Sequence, residues 1–154
     1  MEAGFLRFPS ERLDLVIFLC YIYGMEKGDY KKVVAYWRKN AERDLDTMQK
    51  LFAIKKYPEA LFFGHIVLEK TLKALVVVAT KEQALYTHNL LKLAKLSAVS
   101  FSEKDMELFE KVNDFNIRAR YPGFKLNFFK LCTKAYVSGY IKEISAFYKK
   151  YVKN

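Results

Sequence analysis

Apolar residues recur every three or four positions along most of the chain, and the period-two alternation of a half-buried strand is almost absent. Over about 31–54 the apolar positions are Val34, Trp37, Ala41, Leu45, Met48 and Phe52, which share one face of a helix. KKYPEA ends this helix, because the residue before Pro58 is pushed out of the helical region and proline suits a first helical turn. A second helix is predicted over about 58–79, and TKEQALY after it reads as a loop. THNLLKLAKL opens a short third helix with Thr87 or Asn89 as its cap. Ser102 with Asp105 three residues on resembles a capping box and starts a fourth helix running to about Ile117. RARYPGFK, carrying Pro122 and Gly123, is a further break. The last helix is predicted over about 126–151, with Phe129, Thr133, Tyr136, Tyr140, Ile144, Phe147 and Tyr151 as its apolar line. The pattern predicts an all-α fold, an up-and-down antiparallel helical bundle of four long helices plus one short helix.

The second helix breaks its own pattern. LFFGHIVLEKTLKALVVVA, residues 61–79, is apolar nearly all round, the mark of a helix enclosed by neighbours or by a second subunit. Yet it carries His65, Glu69, Lys70 and Lys73. His65, Glu69 and Lys73 fall at i, i+4 and i+8 and so form one line, flanked by apolar side chains. An enclosed charge costs several kcal/mol unless paired. Glu69 and Lys73 are spaced to pair, with the carboxylate N-terminal in the better order. Two readings follow: a satisfied ion pair at a bundle seam, or a polar groove that receives another helix or molecule.

Composition narrows the class. The 154 residues are 52% hydrophobic and 16% aromatic, which suits one domain with a sizeable core and excludes a disordered or fibrous chain. Lys and Arg total 27 against 17 acidic residues, a formal charge of +10. Seven lysines lie in 125–154 with only Glu143 against them, so the surplus concentrates in the last helix and tail. Such a face attracts nucleic acid or an acidic partner, or is simply solvated. Cys20 and Cys132 are far apart and form no metal or redox motif, which favours a reducing, cytoplasmic setting. The longest apolar run, LVIFLCYIYG at 15–24, is about half of what spans a bilayer, so no membrane association is expected. Glu2, Glu11 and Asp14 spoil a signal-peptide reading of the same stretch. Met25 then opens a segment that reads like a natural start. Residues 1–24 are accordingly read as an N-terminal extension, and 25–154 as the helical domain.

Enzyme motifs are scarce. The chain has no Gly-rich phosphate loop, no H-E-x-x-H and no G-x-S-x-G. With two histidines and two scattered cysteines, neither a zinc site nor any other metal or cofactor is expected. His65 reads as a hydrogen-bonded core histidine. His88 reads as a loop-ordering residue, and the two can act as acid and base only if the fold joins them. The second concentration of signal is IRARYPGF. Arg118 and Arg120 at a helix C-terminus favour the dipole, or grip phosphate oxygens with their guanidinium forks. Tyr121 beside them can stack on a base.

In order, KKYPEALFFGHIVLEKTLKAL, THNLLKL, RARYPG and a long final helix resemble the HEPN domain family, found in prokaryotes and higher eukaryotes. The resemblance rests on Glu69, Lys70, Lys73, Ala74 and Leu75, on THNL, and on Arg120, Tyr121 and Pro122. It implies a helical bundle that often dimerises, and two functional branches. One comprises metal-independent ribonucleases whose R-x4-6-H motifs meet across the dimer and cleave RNA through its 2′-hydroxyl. The other comprises small stand-alone proteins that accompany a minimal nucleotidyltransferase, often as a toxin–antitoxin pair, with a proposed nucleotide-binding role. Histidine would have to stand at 123–125 after Arg118 or at 125–127 after Arg120, and these positions hold Gly, Phe, Lys, Leu and Asn. The second branch is therefore the closer resemblance. It implies a non-catalytic homodimer that binds a nucleotidyltransferase. Glu69 and Lys73 on the enclosed helix are then expected to meet Arg118 or Arg120, beside Tyr121, in a polar groove that accepts a nucleotide, an RNA phosphate or an acidic loop. The alternatives are a ribonuclease toxin with an altered site built from His88, Arg118 and Arg120, and a simple dimeric scaffold.

Overall fold

The computed structural model describes residues 29–120 and 122–152, without the side chains of 122–125. The reading of residues 1–24 as an extension lies outside the described residues. Most of those described are helical, with no strand among them. The helices are α1 (Tyr30–Ala53), α2 (Tyr57–Thr80), α3 (Leu90–Leu96), α4 (Glu103–Asn113), α5 (Phe115–Arg118), α6 (Pro122–Leu131) and α7 (Lys134–Val152). None is long and apolar enough to cross a membrane.

The periodicity of α1 translates directly into burial. Val34, Trp37, Ala41, Leu45 and Met48 are buried, and they pack α1 along α2. The two helices run antiparallel: Phe52 meets Tyr57 at the connecting turn, and Lys81 reaches the Tyr30 ring at the far end. Between them Lys70 pairs with Asp44 at 2.6 Å. Pro58 sits in the first turn of α2 and Lys81 ends the helix in a left-handed conformation. Helix α2 is the centre of the fold and touches α1, α3, α4, α5, α6 and α7. Gly64 lies where α7 crosses it. A methyl group there would stand 2.6 Å from Ile144 Cδ1 and 3.3 Å from Met48 Sδ.

The caps follow their chemistry. Asn89 rather than Thr87 caps α3, accepting from the Lys92 amide. Ser102 and Asp105 form a full capping box on α4. Asp105 also binds Lys150 and the Tyr151 hydroxyl, tying the end of α7 to the start of α4. Phe101, Phe109, Phe147 and Tyr151 pack as an aromatic cluster beside this tie.

The C-terminal third departs from the predicted elements. The fourth helix stops at Asn113, and a single turn, α5, carries the chain to Arg118. Pro122 and Gly123 do not form a loop. They open α6, where proline's missing N–H costs nothing in a first turn. The predicted last helix is two helices, broken at Cys132–Thr133. The Thr133 hydroxyl accepts from the Tyr136 amide at 3.3 Å, the geometry of a new N-terminal cap. The break resets the helical phase, so the buried line of α7 is Val137, Ile141, Ile144, Phe147 and Tyr148. Phe129, Thr133 and Tyr136, expected in that line, are exposed instead.

Candidate functional site

The line of polar residues on α2 faces the loop that leads into α3. Lys73 donates to Glu69 Oε1 at 2.7 Å, and both side chains are below a tenth exposed. The other carboxylate oxygen, Oε2, lies 3.0 Å from His88 Nδ1. A carboxylate only accepts, so Nδ1 carries the proton and donates. His88 Nε2 is then left as the free nitrogen of a ring that is 51% exposed. His65 stands one turn before Glu69, and its Nε2 lies 3.0 Å from the His88 carbonyl. The carbonyl also only accepts, so His65 donates from Nε2 and its Nδ1 faces Glu69 Oε2 from 3.8 Å without a donor. His88 is thus held twice, by its ring and by its backbone, and both anchors come from α2. Asn89 and Thr87 order the loop locally around this clamp.

The charges explain each other. Burial pushes the His65 ring down to about 4, against the pull of Glu69, so it is neutral at pH 7. Burial alone would raise the Glu69 carboxyl, but Lys73 and the His88 hydrogen bond outweigh it and hold it below its ordinary value. Lys73 also lies over the Trp37 ring of α1 at 5.0 Å, a cation–π contact that fixes its stem. The cluster therefore contains one compensated charge pair, with the neutral His65 ring on one side of the carboxylate and the His88 ring on the other.

The arginines stand apart from this pair. Arg118 reaches back to Asp114 at 3.3 Å on the surface of α5. Arg120 donates from Nε to the Asn116 carbonyl at 3.0 Å, and its guanidinium lies over the Phe62 ring at 5.8 Å. That places it against the N-terminal half of α2, near enough to add to the field that depresses His65. Glu69 meets neither arginine; its partners are Lys73 and His88. Tyr121 lies outside the described residues. The structure thus joins His65, Glu69, Lys73 and His88, sets Arg120 at their edge, and leaves Arg118 with Asp114. Among the described residues no three His, Cys, Asp or Glu side chains are grouped to hold a metal ion.

Trp37 was visible in the sequence only as part of the α1 apolar line. Its contact with Lys73 had no signal in spacing, because it joins separate helices. Asn113 is a second such case: its side chain accepts from the Leu90 amide at 3.0 Å and so links the end of α4 to the start of α3. No curated protein and no solved structure gives a significant match to the chain. The family model of the HEPN domain matches residues 34–154. The chain belongs to the HEPN domain family.

Proposed function

We propose that this HEPN-domain chain is a non-catalytic homodimer that binds a minimal nucleotidyltransferase, in a module of the toxin–antitoxin type. The observation that carries the reading is the missing ribonuclease motif: neither Arg118 nor Arg120 is followed by histidine at the R-x4-6-H spacing. The placement of the two histidines supports it. His65 is buried and bonded to a backbone carbonyl, and His88 is clamped by Glu69. On this reading Arg118, Arg120 and Tyr121 contact the phosphate of a nucleotide or RNA, or an acidic loop of the partner. Glu69 and Lys73 brace the loop beside them. Size-exclusion chromatography with light scattering tests the dimer, which predicts twice the chain mass of 18.1 kDa. Incubation with a mixed RNA pool in chelator tests the absence of catalysis, and intact RNA is the expected result.

One observation favours a second reading. The His88 ring is about half exposed and Glu69 binds its Nδ1, the arrangement that orients a general base. A ribonuclease with an altered site would use it together with Arg118 or Arg120. Cleavage that survives chelation and disappears in both His88→Ala and Arg120→Ala would establish this reading over the first.

A further inference from the structure

A cleft of about 150 Å³ opens between α4 and α7 and shares no residue with the Glu69 cluster. Its two walls carry opposite charge. The α4 wall presents Lys104 and Lys111 against Glu107, a surplus of one positive charge. Lys111 and Glu107 stand 3.9 Å apart and both are exposed, so the pair they form is weak. The α7 wall presents Glu143 alone. Glu143 is the only acidic residue in 125–154, a segment with seven lysines, and it turns to this cleft. Among the described residues neither Lys104 nor Glu143 has an ion-pair or hydrogen-bond partner. The rest of the lining is apolar or aromatic. Leu108 is buried, and Tyr136 and Tyr140 hold their rings 5.0 Å apart on α7. Burial, then the Tyr136 hydroxyl and Glu143, push the Tyr140 phenol above its ordinary value, so it stays an uncharged hydrogen-bond donor.

Gly139 completes the α7 wall. Glycine weakens a helix interior relative to alanine, because it loses more backbone freedom on folding. At Gly64 the crossing of α7 explains the glycine, but a methyl group at Gly139 would meet nothing within 4 Å. Packing does not require a glycine there. What its missing side chain leaves is room in the cleft.

We infer that this cleft binds a free α-amino acid with an apolar side chain. The ligand's ammonium meets Glu143 and its carboxylate meets the lysines of α4. Its side chain lies against Leu108 and the tyrosine rings, and Gly139 admits it. Charge decides between ligand classes. A phosphate or other anion would be repelled by Glu143, and a diamine by the surplus lysine. An uncharged ligand would leave both walls uncompensated, whereas a zwitterion answers both at once. Size then selects one residue over a peptide. A cavity of this volume takes a group as large as benzene, and a free amino acid carries both charges within a few bonds of one such side chain. The site does not rest on the nucleotidyltransferase reading.

Isothermal titration calorimetry of the full chain with L-leucine, L-methionine and L-phenylalanine tests the inference. At least one should bind saturably at millimolar concentration or below and raise the melting temperature. The acid without the amine and the amine without the acid (isocaproate and isoamylamine, for leucine) should each bind about tenfold more weakly or worse. Glu143→Gln and the double variant K104Q/K111Q should each weaken the amino acid by a similar factor. Gly139→Leu should abolish binding while the melting temperature of the unliganded chain holds or rises, which separates a filled cleft from a lost fold. No saturable binding by any of the three, an analogue with one charge that binds as well as its amino acid, or a Gly139→Leu chain that binds like the unmodified one would each overturn the inference.

Discussion

Replacing Glu69 by glutamine removes one charge from the centre of the cluster and changes almost nothing else in shape. Lys73 would then be an ammonium 7% exposed at its side chain, with its counter-ion, now 2.7 Å away, gone. Breaking a buried pair from one side costs about 3–5 kcal/mol, because the remaining charge is uncompensated. Domains of this kind have on the order of 5–15 kcal/mol in total, so the loss is a large fraction. At about 2–4 °C per kcal/mol the melting temperature should fall by on the order of 10 °C. Lys73→Met should cost less, about 1–3 kcal/mol, because Glu69 keeps the His88 Nδ1 hydrogen bond and can protonate. The double variant E69L/K73M should lie within about 1 kcal/mol of the unmodified protein, since apolar replacement of a whole buried pair is often neutral. Urea unfolding of these proteins together with Glu69→Leu alone, read by the single tryptophan Trp37, closes the cycle. A Glu69→Gln loss below 1 kcal/mol, or additive losses in the double variant, would refute the argument that the pair is buried and coupled.

Acid should act through His65. Its folded value is about 4 against 6.5 ordinarily, so the unfolded chain takes up a proton the folded chain does not. Stability from this group is complete above about pH 6.5 and is lost as pH falls towards 4, by about 3 kcal/mol. His65→Gln should flatten that part of the stability–pH curve measured by urea midpoints. Gly64→Ala should cost about 1–3 kcal/mol, because Ile144 and Met48 must shift to admit the methyl group, and thermal unfolding reads it directly. Ser102→Ala should remove about 1 kcal/mol by opening the capping box, with a matching rise in amide exchange over the first turn of α4.

Much of the bundle was legible because its signals are local. The α1 line needed only periodicity, and five of its six positions are buried. The Ser102–Asp105 box and the Glu69–Lys73 pair each lie within one helical turn, where spacing determines contact. The break at Cys132–Thr133 was not legible. KLCTK contains neither glycine nor proline, and Thr133 fits an unbroken helix as well as it fits a cap. What decides is packing: Phe128 and Val137 are both buried, and the break between α6 and α7 sets the phase on each side. The Glu69–His88 contact spans 19 residues and a loop, so no periodicity encodes it. The expectation that Glu69 and Lys73 meet an arginine overlooked this histidine and the Trp37 ring as nearer partners.

The central claim is that the chain works through a partner and not through catalysis of its own. The most direct measurement is purification of the tagged full-length chain from its native cells at moderate salt, with the mass and stoichiometry of the complex determined. The account predicts a small nucleotidyltransferase in near-equal amount, and its loss from an Arg118→Ala/Arg120→Ala variant that still folds. A chain that emerges without that enzyme, and whose purified dimer cleaves RNA in chelator, would contradict it.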